Sequence, residues 1–115
     1  KYQWATPISV LSAGSQTSFT AVSLAGAMPL VAVPVKLNAA YTPNSATNTA
    51  QLRPTGSSVA EDSVPVILGC GVAAAQKVPC IEMIPQLSSG NPSIDYLVQA
   101  SDALTLTVMG FEFYI

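Results

Sequence analysis

The sequence predicts an all-β fold, a single antiparallel β-sandwich of about eight short strands. Three observations carry this. Short runs alternate apolar and polar residues with period two. Nine prolines and seven glycines punctuate the 115 residues, leaving little room for helices of about ten residues or more. Turn-rich segments separate the alternating runs at the short, regular spacing of sandwiches and barrels.

The elements follow in chain order. Residues 8–11 and 17–24 are the first strand candidates. The run 31–39 alternates most cleanly. Val31, Val33, Val35 and Leu37 fall on one face, Lys36 and Asn38 on the other, so the valine–leucine set faces a core. Pro34 has no N–H to donate, which predicts an edge strand or an unpaired position for the proline. Residues 41–48 read as an exposed loop, and 49–53 and 64–68 as strands. An alanine run within 71–77 suits one helical turn. Residues 79–84 form a strand, and 87–92 a loop in which Asn91-Pro92 signals a turn.

The run 93–99 places Ile94, Tyr96 and Val98 on one face and Asp95 and Gln99 on the other, and Ser101-Asp102 marks the next turn. In 104–115, Leu104, Leu106 and Val108 alternate with Thr105 and Thr107. After Gly110 the phase flips, and Phe111, Phe113 and Ile115 become the apolar set. A flip at a glycine predicts a β-bulge. The other reading is a strand buried on both faces. Residues 1–11 read as an N-terminal arm on this one domain, which spans 1–115.

Composition narrows the function. Hydrophobic residues make up 50% of the chain and charged residues 9%, against about 25% charged in ordinary soluble domains. Exposed positions must therefore be filled by Ser, Thr, Asn, Gln, Ala and Pro. Such a surface suits contact with other chains, because interface cores are depleted in charge. Lys1, Lys36, Arg53 and Lys77 are scattered, and the net charge is −2. No basic stripe can release counterions from a phosphate backbone, so nucleic acid is not an expected partner. The most apolar stretch, 19–35, is broken by Thr20, Ser23, Gly26, Pro29 and Pro34, which excludes a spanning helix, and its polar neighbours do not fit a signal peptide. The chain begins at Lys1 rather than at Met, and reads as processed, excised or incomplete.

Reactive chemistry is sparse. The chain has no His, which removes the commonest general base and metal ligand. No nucleophile elbow and no phosphate-cradling glycine loop is present. The carboxylates Glu61, Asp62, Glu82, Asp95, Asp102 and Glu112 could in principle form a hydrolytic pair. They read instead as solvated loop charges, turn residues and outward strand positions. Asp95 and Asp102 could supply two oxygens to Ca²⁺, but a calcium site needs several more. No catalytic residue, no metal and no cofactor is predicted. Cys70 and Cys80 suit buried free thiols better than a bridge, and assign no redox compartment.

Aromatic residues are the remaining candidates, because they dominate cores and interfaces alike. The candidate interface set is Tyr2, Trp4, Phe111, Phe113 and Ile115, at the two chain ends. The alternative is a ligand-stacking platform for host glycan built on Trp4 and Tyr41, with Tyr2, Tyr96 and Tyr114 as further candidates.

The stretch Ile94-Asp95-Tyr96-Leu97-Val98, the Ser101-Asp102-Ala103 turn, and the run from Leu104-Thr105-Leu106 to Gly110-Phe111-Glu112 resemble the closing hairpin of small phage virion β-sandwiches. Val33-Pro34-Val35 and Leu52-Arg53-Pro54-Thr55-Gly56-Ser57 are similar to strand and turn segments of the same proteins. These are jelly-roll head-decoration (cement) proteins, head fibres and tail-fibre domains. The resemblance covers about the last two-thirds of the chain and rests on a pattern of strands and turns. It implies a non-enzymatic, symmetric homo-oligomer on the virion surface that clamps neighbouring capsid or fibre subunits, or presents a surface to the host. Residues 1–11 fall outside it and are expected to vary with attachment site.

Overall fold

A computed structural model describes residues 2–28, 30–31, 33–56, 64, 66–69, 74–88 and 90–112. Among these residues there is no helix. The described residues form nine strands: β1 (Tyr2–Gly14), β2 (Thr20–Ser23), β3 (Val35–Thr42), β4 (Thr49–Pro54), β5 (Val66–Gly69), β6 (Gln76–Met83), β7 (Gln86–Ser88), β8 (Asn91–Leu97) and β9 (Ala103–Glu112).

The pairing explains the architecture. All ladders are antiparallel, and four are nested one inside the next: β1 with β9, β2 with β8, β3 with β6, and β4 with β5. This is one long folded-back ribbon with the β4–β5 hairpin at its tip. Winding the ribbon brings β9 beside β3 and β8 beside β4. The result is a four-stranded sheet in the order β1-β9-β3-β6 facing a five-stranded sheet in the order β2-β8-β4-β5, with β7 paired to β8. The eight principal strands thus make a jelly roll, the double-sheet solution to packing an antiparallel ribbon around one core.

The core lies between the inward faces. In β3, Val35, Leu37, Ala39 and Tyr41 are buried while Lys36, Asn38 and Ala40 are half-exposed. In β9, Leu104, Leu106 and Val108 are buried and Thr105 and Thr107 half-exposed. Leu24, Leu52 and Ile94 complete the centre with no exposed area.

The glycine flip is a bulge. Lys36 pairs with Gly110 but Leu37 pairs with Val108, so Met109 is the extra residue. Past it, Phe111 packs against the core.

Several expectations need correction. β3 begins at Val35, so Val31 is exposed and Val33 only partly buried. β3 lies between β9 and β6 rather than at an edge. Pro34 is accommodated because it precedes the strand, where no ladder donor is required, and its carbonyl accepts from Glu112 N at 2.8 Å. The N-terminal arm is instead a 13-residue edge strand, β1, paired with β9 from Tyr2 to Gly14 with three register shifts along the way. The expected loop at 87–92 is a β7–β8 hairpin turning at Gly90, whose φ of 81 suits glycine. The expected closing hairpin is absent: β8 and β9 lie in different sheets, and 98–102 crosses between them. Residues 76 and 77 of the expected helical turn are strand, and 71–73 lie outside the described residues.

Candidate functional site

The crossovers between sheets gather at the two ends of the sandwich, and the ends differ in chemistry. One end carries the β1–β2, β3–β4 and β8–β9 connections. It is closed by polar bonds around Asp102, whose residue is only 2% exposed. Its carboxylate accepts from Tyr41 Oη and Asn44 N at 2.6 Å each, from Asn48 Nδ2 at 3.0 Å and from Gln99 N at 3.1 Å. Both oxygens are thus saturated, and the β3–β4 and β8–β9 crossovers are tied together. Ser101, with a φ of 67, makes the tight turn that aims the carboxylate back at Gln99 N. Burial alone would raise the Asp102 pKa. The hydrogen bonds, that from Tyr41 first, outweigh it and hold the carboxyl below its ordinary value. The β1–β2 connection is fastened beside it, where Gln16 N donates to Tyr96 Oη at 3.2 Å and Val98 N donates to Gln16 O at 3.0 Å.

The opposite end carries the β2–β3, β6–β7 and β7–β8 connections and the first residues of β1 and last of β9. Here Leu30 is 57% exposed, Val31 42%, Ile84 51% and Leu87 49%. Register puts the strand ends that flank them at this end of the sandwich: Val35 pairs with Met83 and with Phe111, and Gln86 with Ser93 next to the end of β2. Four of the six large apolar side chains that are exposed among the described residues therefore sit at one end.

The expected site residues distribute unevenly over this frame. The backbones of Tyr2 and Trp4 pair with Glu112 and Gly110, at the apolar end. Phe111 reaches the same end, but it packs on the core and is half-buried, not a free interface side chain. Phe113 and Ile115 lie outside the described residues, as do Tyr114, Glu61, Asp62 and Cys70. Tyr41 is fully buried and bonded to Asp102, so it cannot stack on a ligand. β3 continues past 39 into the expected exposed loop, and the alternation of Leu37, Ala39 and Tyr41, not followed that far in the sequence, puts Tyr41 on the core face. Tyr96 is also buried.

The carboxylates are dispersed. Asp95 is buried on the outward side of β8, where Arg53 Nε donates to it at 3.0 Å and Thr55 Oγ1 at 2.9 Å. The Arg53 guanidinium in turn lies 3.7 Å from the Phe19 ring centroid. Asp95 and Asp102 are each consumed by separate sets of donors. Among the described residues no cluster of His, Cys, Asp and Glu is arranged to hold a metal ion.

A second surface feature escaped the sequence reading. The outer face of the four-stranded sheet carries a concavity of about 580 Å³, lined by residues that include Pro7, Asn38, Ala40, Lys77, Thr107 and Met109. Comparison of the chain with protein families and curated proteins, and of its fold with solved structures, returns no match.

Proposed function

We propose that this chain is a non-enzymatic structural subunit of a bacteriophage virion, a capsid decoration (cement) or head-fibre protein. It acts as a homo-oligomer on the virion surface and packs its apolar end against neighbouring chains, copies of itself as well as capsid or fibre subunits. The observation that carries this reading is the contrast between the two ends: one sealed by a saturated polar network, the other presenting Leu30, Val31, Ile84 and Leu87. Exposed apolar side chains gathered in one place mark interaction surfaces. A chain with 9% charged residues also has little charge to oppose such contact. The jelly roll agrees with a capsid role, but it also serves lectins and cupins, so the fold alone does not choose.

Burial of that end would stabilise a shell by roughly 25 cal/mol for each Å² of apolar area covered. The reading as a glycan-gripping tail-fibre tip has lost one of its two aromatic residues, because Tyr41 is buried. Removing the chain from particles and following the temperature of genome release tests the cement role. Release is expected several degrees lower, restored by the wild-type chain and not by a Leu30→Asp, Ile84→Asp variant. An unchanged release temperature after removal would reject it.

A further inference from the structure

The geometry points to the concavity on the outer face of the four-stranded sheet as a binding site for an acidic saccharide, a sugar unit carrying one carboxylate. This inference is independent of the assembly reading, which concerns the apolar end.

The floor is a row across three strands. Ala40 of β3 pairs with Thr105 of β9 on one side and with Lys77 of β6 on the other. The neighbouring row pairs Asn38 with Thr107. Small side chains leave depth where an exposed sheet face would ordinarily carry larger β-formers. The strands on either side of this floor are irregular. Between its pairings of Trp4 with Gly110 and Ile8 with Val108, β1 sets residues 5–7 against Met109 alone, bringing Pro7 to the rim. On the other side, between Leu37–Ile81 and Ala39–Val78, β6 has two residues where β3 has only Asn38. Bulges of this kind commonly shape functional surfaces. The volume falls within the range of small-molecule sites.

The lining chemistry selects the ligand class. Ala40, Pro7, Met109 and the threonine methyls offer apolar contact to the C–H faces of a sugar ring. Thr105 Oγ1 already accepts from Ala13 N at 3.0 Å, which leaves its hydroxyl proton to donate to a ligand oxygen. Thr107 adds a second hydroxyl. Lys77 is exposed and is the one ionised side chain among the described lining residues, none of which is a carboxylate. Glu82, the nearest acidic residue on β6, pairs in register with Lys36 instead. A single ammonium beside neutral hydroxyls fits one carboxylate-bearing unit of a hydroxylated molecule.

Titration of the ¹⁵N-labelled chain with digalacturonate, and separately with the uncharged galactobiose, tests this by amide shifts. The acidic disaccharide is expected to bind in the millimolar range, with shifts confined to β3, β6 and β9 around the groove. Its affinity should exceed that of the neutral sugar at least tenfold, and Lys77→Gln should abolish that difference. Ala40→Leu, which fills the floor, should remove binding of both sugars while the remaining amide spectrum keeps the folded pattern. Should the spectrum of Ala40→Leu be lost, Thr107→Ile serves as the filling variant. Absent or dispersed shifts, equal affinity for the two sugars, or acetate alone reproducing the digalacturonate shifts at the same concentration would overturn the assignment.

Discussion

Asp102 shows how much one side chain can hold. Its four donors come from β3, from the β3–β4 crossover and from the turn before β9. Asp102→Ala would remove the shared acceptor of the buried Tyr41 hydroxyl and of the part-buried Asn44 and Gln99 amides and leave a void. Each buried unsatisfied group costs about 1–3 kcal/mol, so a loss of about 3 kcal/mol in chemical denaturation is expected, with Tyr41→Phe costing about 1–1.5 kcal/mol. The pH dependence follows from the lowered carboxyl pKa. The group is charged in the fold at pH values where the unfolded chain already binds a proton, so its stabilisation is complete above the unfolded value near 3.8. It is lost as pH falls through the lower folded value. The wild type should therefore lose stability below about pH 4, and the Asp102→Asn variant should show a shallower loss in the same acid titration. The sequence marks Ser101-Asp102 as a turn, but not this role, because Tyr41 lies 61 residues away and only the wound ribbon brings the two together.

At the scale of elements, strand identity was legible and strand partnership was not. Alternation located β3, β8 and β9 and assigned their core faces, since period two needs only local sequence. The bulge at Met109 was legible because a glycine marked the phase flip. β7 was missed because three residues carry too little periodicity, and most of β1 was missed because its three register shifts break the alternation. The pairing of β1 with β9 joins the two ends of the chain, information that no window along the sequence contains. Two substitutions test this packing. Gly14 is buried, and a Cβ there would lie 2.8 Å from Leu11 and from Tyr96 Oη. Gly14→Ala is expected to cost about 1–3 kcal/mol and to disturb the Gln16–Tyr96 bond. Leu106→Ala, in the wholly buried row of β9, should cost about 2–5 kcal/mol through the cavity left behind. Thermal or urea unfolding measures both.

For the whole molecule, the question is which surface meets other chains. Sheet edges are poor candidates. β1 is interrupted by register shifts and Pro7, β6 contains Pro79, and β2 and β5 have four residues each. Short, broken and proline-bearing edges resist strand addition. The apolar end remains, joined there by the start of β1 and the end of β9, where the sequence placed its interface candidates. That placement was read from aromatic residues at the chain ends. The exposed Val31 was instead assigned to the core, because alternation does not reveal that the strand starts only after Pro34.

The mass of the purified chain in dilute buffer, measured by light scattering, bears on this most directly. The account predicts a discrete multiple of 11.8 kDa that falls to a folded single chain in the Leu30→Asp, Ile84→Asp variant. A wild-type protein that stays at 11.8 kDa at every concentration, as folded and as soluble as the variant, would contradict it.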